Sequence, residues 1–256
     1  MILVIVANII NNENLLIYFY GYKVIIEMNQ YSSSVVTKEK QWYQSDTDKL
    51  VCELCRHFYN LGWASGTGGG ISIRDEDGIH ITPSGVQKER ISPDDVFLLD
   101  ARALDGAKVI RPAANSNLRL SECTPLFMAA YRLRKAGAVL HSHSIWAMLA
   151  GRLCSPNGEP GVFRTRNLEM QKGLRGRGCF ETVEVPIISN TTRESQLTDS
   201  LTAAIEDNPD VDAVIVAGHG VYVWGENWAH AKTQAECYDY LFRAAVEGYR
   251  LGLPIH

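Results

Sequence analysis

Apolar positions in this chain recur with two periods, and the switches between them mark out its elements. Cap-forming residues Ser45-Asp46-Thr47 precede Val51, Leu54, Cys55 and Phe58, spaced at i, i+3, i+4 and i+7. That spacing lays one apolar stripe along a helix, which Gly62 closes. Ile71-Ser72-Ile73-Arg74 and Ile79-His80-Ile81-Thr82 then alternate with period two around the turn Asp75-Glu76-Asp77-Gly78, which predicts a hairpin. On that alternation His80 points away from Ile79 and Ile81 and is expected at the surface. Ile91-Ser92-Pro93-Asp94-Asp95 reads as a turn before a strand over 96–100, and the polar stretch 101–117 reads as a surface loop.

Pro125 in a first turn, with Arg134-Lys135 and Gly137 at the far end, predicts a helix through Leu126–Tyr131. The apolar run Ala138–Leu140 is a strand, and Ser144 is placed to cap a helix over 145–150. Residues 151–165, rich in Gly, Pro and Arg, read as a loop. A strand over 183–188, a helix over 194–207 ended by Asn208-Pro209, and a buried strand over 211–216 follow. The last element is a long helix over 228–251, with Ala231, Ala235, Tyr238, Phe242 and Ala245 on one stripe. Strands and helices alternate irregularly around one hairpin, which points to a layered α/β fold with a mixed sheet.

The first forty or so residues differ. Two apolar runs, 1–10 and 15–26, flank Asn11-Asn12-Glu13-Asn14. Each is shorter than the roughly 18 to 20 residues a membrane span needs. No basic segment precedes the first run and no small-residue cleavage site follows it. Residues 1–44 are expected to be an extension outside the fold, appended to a cytosolic domain over 45–256. An anchor, a weak signal and an internal start at Met28 are the other readings.

Composition narrows the function classes. The 256 residues are 46% hydrophobic and 21% charged, which suits a soluble enzyme of one large or two small domains. A net charge of −4 gives no reason to expect a nucleic acid or an anionic membrane as partner. Six irregularly spaced cysteines make no disulfide framework and favour a reducing compartment. Cys52-x-x-Cys55 has no second pair, and belongs to the helical stripe rather than to a structural zinc site.

The candidate chemistry centres on His141-Ser142-His143. Residues two apart on a strand share a face, so both imidazoles project together from the strand end. Such a pair suits Zn²⁺ or a similar divalent ion if a third ligand joins, and otherwise is a chance surface pair. His219, framed by Gly218 and Gly220 after a buried strand, is the candidate third ligand. Gly66-Thr67-Gly68-Gly69-Gly70 fits neither the dinucleotide fingerprint nor a P-loop. With Thr82-Pro83-Ser84-Gly85, across the hairpin, it makes either an anion cradle of backbone amides or a pair of tight turns. Glu122 and Cys123 sit at a helix start, where partial positive charge favours carboxylate or thiolate, although a lone Cys is more often apolar filler. Glu169 alone reads as an ordinary surface or ion-paired residue.

Five blocks in this order carry a family resemblance: Gly-Thr-Gly-Gly-Gly-Ile-Ser (66–72), Pro-Ser-Gly-Val-Gln-Lys-Glu (83–89), Cys-Thr-Pro-Leu-Phe (123–127), His-Ser-His (141–143) and His-Gly-Val-Tyr-Val-Trp-Gly (219–225). Over about 45–253 the chain resembles the class II aldolase/adducin superfamily, and within it the dehydratases of methylthioribulose 1-phosphate in methionine salvage. The resemblance implies a three-layer α/β/α fold with a mixed, largely antiparallel central sheet. It also implies one Zn²⁺ per subunit and a cytoplasmic homotetramer with sites at subunit boundaries. It assigns His141, His143 and His219 to the metal, Glu169 to acid/base catalysis and Cys123 to substrate contact. Thr67, Gly68, Gly69, Ser84 and Gly85 take the places that bind a sugar phosphate. The activity implied is hydro-lyase; a zinc-dependent sugar-phosphate aldolase and a non-catalytic adducin-like module are the alternatives. Two departures stand out. Ala217-Gly218 replaces residues that are often basic, and Glu122 lies roughly where the aldolases keep a catalytic Glu.

Overall fold

The computed structural model describes residues 46–253, together with the backbone of three strands nearer the N-terminus. The chain divides into two compact units, Met1–Ser45 and Asp46–His256. In the first, β1 (Val6–Asn11), β2 (Asn14–Phe19) and β3 (Tyr22–Glu27) form an antiparallel sheet in the order β1-β2-β3. Apolar runs too short to span a bilayer are a good length for strands. Met28 as a start site and Ser45 as a cap fall outside the described residues.

The second unit begins with α1 (Asp46–Asn60), whose stripe Val51, Leu54, Cys55 and Phe58 is buried as its spacing requires. The chain then runs through β4 (Gly70–Arg74), β5 (Ile79–Ile81), β6 (Pro83–Ser84), β7 (Phe97–Leu99), β8 (Val109–Arg111) and β9 (Arg119–Leu120). Next come α2 (Thr124–Arg134), β10 (Ala138–Ser142), α3 (Ile145–Cys154), β11 (Gly161–Thr165) and β12 (Val183–Ile188). It closes with α4 (Thr198–Asp207), β13 (Ala213–Val216), β14 (Gly220–Gly225) and α5 (Trp228–Arg250). The main sheet has the order β11-β12-β13-β14-β10-β4-β5-β7-β8, and only β12–β13 is a parallel pair. It is the mixed, largely antiparallel sheet that the resemblance implies.

Helices cover both faces. Ala138, Leu140, Val221 and Val223 join α1, α3 and α5 in one core, while Val139, Tyr222 and Trp224 join α2 and α4 in the other. Alternation between two apolar cores explains why the central strands carry apolar residues on both faces. It also explains why His80 is buried rather than exposed. On a sheet covered twice, facing away from Ile79 and Ile81 means facing α1. There His80 Nδ1 lies 2.7 Å from Asp48 Oδ1, and Nε2 lies 3.0 Å from Asp75 Oδ2.

Two expected loops contain regular structure. The stretch 101–117 holds edge strand β8, whose Arg111 turns inward and pairs with Asp48 at 2.7 Å. The stretch 151–165 holds the end of α3 and edge strand β11. Gly151 does not stop α3, because a Cβ there would lie 3.0 Å from Ile215 Cγ2; the glycine serves helix–sheet contact. In β11 only one face is buried, around Phe163, while Arg164 reaches out to Glu184.

Candidate metal centre

β10 and β14 are antiparallel neighbours at the centre of the sheet, with His141 directly opposite Tyr222. Their rings stack, with centroids 4.0 Å apart and planes 8° from parallel. His143 lies just beyond the strand end, pinned by its backbone N–H, which donates to Trp63 O at 2.8 Å. His219 precedes β14. Two chain segments, the end of β10 and the start of β14, thus deliver three imidazoles to one point. His143 Nε2 lies 2.9 Å from His141 Nε2 and 3.0 Å from His219 Nε2, and the remaining pair is 3.3 Å apart. Zinc bonds of about 2.0–2.1 Å at tetrahedral angles require ligand separations of roughly 3.3 Å, so the triangle is close to that size.

The hydrogen-bond pattern also suits a cation. His141 Nδ1–H donates to Val221 O at 3.2 Å, which leaves its Nε2 lone pair aimed inward. His219 Nδ1 faces Asn190 Oδ1 at 3.3 Å in the same sense. Outer partners of this kind fix the tautomer that binds a metal. Burial, reinforced by the neighbouring imidazoles, lowers the His143 pKa to about 3, and burial with His141 lowers that of His219 to about 4. Both rings are neutral at pH 7, as ligands must be.

The sequence did not single out Glu194. It opens the single-turn helix Glu194–Leu197, and its Oε1 lies 2.9 Å from His141 Nε2 and 3.5 Å from His219 Nε2. Together with the three histidines it places four ligand atoms within 4.8 Å of one another. Tyr222 OH donates to Glu194 Oε1 at 3.1 Å, and Cys123 Sγ–H donates to Oε2 at 3.2 Å. Burial alone would raise this carboxyl, but the His141 and His219 imidazoles and the Cys123 thiol beside it hold it well below the ordinary carboxylate range. A His141 lone pair facing a carboxylate oxygen at 2.9 Å is best reconciled by a cation between them.

The residues named from sequence fall into two groups. Thr67, Gly68, Gly69, Ser84, Gly85, Glu122, Cys123, His143 and His219 line one cavity of about 550 Å³, together with Glu194 and Lys88. His141 forms the buried base of the histidine–glutamate cluster. The glycine loop does more than offer amides: a Cβ on Gly68 would lie 2.3 Å from His143 Nδ1. Cys123 is buried, and desolvation followed by the Glu194 charge pushes its thiol far up, so burial overrides the helix-terminus effect and no thiolate forms. Glu169 stands apart. It is exposed at the start of the short helix Glu169–Gly173, pairs with Lys172 at 2.8 Å, and does not line the cavity.

Comparison with known proteins agrees with this geometry. The model of the class II aldolase and adducin N-terminal domain matches residues 49–246. The chain is 50% identical to a methylthioribulose-1-phosphate dehydratase of Aquarana catesbeiana, over 80% of this chain and 85% of that protein. It is 48% identical to a probable bifunctional methylthioribulose-1-phosphate dehydratase/enolase-phosphatase E1 of Arabidopsis thaliana, over 81% of this chain but only 42% of that longer protein. The fold is that of an L-fuculose 1-phosphate aldolase, with a TM-score of 0.66 at 20% identity over 83% of this chain and 91% of the other. With its matched region spanning the helices and strands that build the site, the chain belongs to the class II aldolase and adducin N-terminal domain family.

Proposed function

We propose that this chain is a zinc-dependent lyase that removes water from 5-methylthioribulose 1-phosphate, giving 2,3-diketo-5-methylthiopentyl 1-phosphate in methionine salvage. The observation that carries this reading is the convergence of His141, His143 and His219 on one point beside a glycine-lined cavity. The relatives named as dehydratases of this substrate supply its identity. We assign the lyase to residues 45–256, with 1–44 as an appendage, in a cytoplasmic homotetramer.

In a 2-ketose 1-phosphate the C3–H is acidified by the C2 carbonyl, and loss of the C4 hydroxyl then releases water. A divalent ion held by three neutral imidazoles supplies a Lewis acid for the negative charge that develops on the ketose oxygens. The chain's own residues do the rest. The loops at Thr67–Gly69 and Ser84-Gly85 hold the phosphate, so binding far from the reacting carbons orients them. Cys123, kept as a neutral thiol, offers a soft wall for the methylthio end. Glu169 moves the proton, as base at C3 or acid at the departing C4 oxygen. It lies outside the cavity of its own chain, so in the homotetramer assigned above it would act from a neighbouring subunit.

A zinc-dependent aldolase is the second reading, favoured by Glu122, which lines the cavity. Incubating the metal-loaded protein with methylthioribulose 1-phosphate separates the two. Dehydration yields the diketone without aldehyde; release of an aldehyde assigns the chain to C–C cleavage instead.

A further inference from the structure

We propose that Lys88 is the charge-recognising contact for the phosphoryl group of the substrate, an inference that rests on the substrate's being a sugar phosphate. Lys88 opens the single-turn helix Lys88–Arg90, three residues after Gly85. Its side chain is 2% exposed, yet it lines the cavity that holds the metal cluster. The ammonium donates to Thr67 O at 3.0 Å and to Val86 O at 3.3 Å, one carbonyl from each glycine-containing loop. An ammonium has three N–H donors, so one remains. Among the described residues no carboxylate lies within ion-pair distance of it. Glu194 and Glu89 act on it only at longer range, and burial leaves its pKa lowered.

A buried cation without a counter-ion is costly, and a purely structural tie between two carbonyls needs only neutral donors. An anion in the cavity removes that cost. The free donor sits between two loops whose amides suit phosphate oxygens, and it adds the charge that amides lack. Arg119, opposite Ser84 in the β6–β9 pair, also lines the cavity but stands exposed in water, where its charge discriminates less.

The test uses the metal-loaded full-length protein, with inorganic phosphate as the calorimetric probe and the phosphorylated ketose for turnover. Lys88→Met is expected to raise the phosphate Kd and the substrate KM by roughly 10- to 100-fold, with metal content unchanged and kcat changed less. Lys88→Arg, which keeps the charge, is expected to recover part of that loss. A phosphate Kd unaffected by Lys88→Met overturns the assignment, as does a fall in kcat at constant KM. Phosphate held by the metal alone would give the first of these results. If Lys88→Met does not fold, the wild type carrying ¹³Cε-labelled lysine decides: phosphate must move one lysine signal, and saturation that moves none rejects the contact. Wild-type protein that binds phosphate through Lys88 but does not dehydrate the ketose would refute the dehydratase and leave this contact standing.

Discussion

Glu194 Oε1 rests 2.9 Å from His141 Nε2, on the side of that nitrogen that carries the lone pair. Tyr222, stacked on the His141 ring, donates its hydroxyl to the same carboxylate oxygen. One tyrosine therefore positions both His141 and the carboxylate that completes the four-residue cluster. Tyr222→Phe keeps the stacking and removes the hydroxyl. We expect metal affinity to fall by about 10- to 100-fold, the usual cost of losing an outer-shell partner, as read by competition with a chelator. Unchanged affinity would show that Glu194 needs no such support.

Gly68 and Gly85 lie in neighbouring loops but respond differently to a methyl group. At Gly68 a Cβ collides with the His143 ring at 2.3 Å. Gly68→Ala should displace a ligand, so that metal is lost together with activity. At Gly85 nothing lies within 4 Å, but φ is +68°. Gly85→Ala should cost only about 1–2 kcal/mol for the left-handed backbone, with metal stoichiometry intact. Melting temperature and metal content measured on both variants check the contrast.

Asp48 ties α1 to β5 and β8 through His80 and Arg111, each at 2.7 Å. Burial opposes ionisation, but the hydrogen bonds from His80 and Arg111 and their charges outweigh it, so the carboxyl lies below its ordinary value of 3.8. A carboxyl depressed in the folded state contributes stability in full above its unfolded value and loses it as pH falls through the folded one. Below about pH 4 the wild type should therefore lose thermal stability more steeply than Asp48→Asn. At pH 7 the substitution should cost about 3–5 kcal/mol, as for removing one partner of a buried ion pair. Parallel pH dependence in the two proteins would contradict this.

The clustering of three imidazoles was legible in the sequence because strand periodicity puts His141 and His143 on one side, and a glycine frame marks His219. Glu194 was not. It belongs to a single turn with no pattern of its own, and it meets Cys123 and His141 only when β12, β13 and β14 fold beside β10. His80 was misjudged for a related reason: alternation tells which residues share a face, not whether a helix covers it. The strands in 101–117 and 151–165 lie at the sheet edges, where one buried residue suffices and the apolar signal is thin.

Glu169→Gln should leave the metal bound and lower kcat by about 10²- to 10⁴-fold, the usual worth of a positioned proton-transfer group. If Glu169 acts across a subunit boundary, mixed oligomers of Glu169→Gln and His141→Ala chains should regain activity that neither possesses alone. Their sites would combine an intact metal from one chain with an intact carboxylate from the other. Absence of complementation in verified mixed oligomers would place Glu169 outside the reaction and return the proton transfer to Glu122 or Glu194, which already line the cavity.

Metal analysis of the purified protein and of its His141→Ala, His143→Ala and His219→Ala variants, run beside an assay for diketone formation, tests the central claim most directly. The account predicts one zinc per chain and turnover of methylthioribulose 1-phosphate in the wild type, with metal and turnover lost together in each variant. Full metal content and diketone formation surviving the loss of any one of these imidazoles would contradict it.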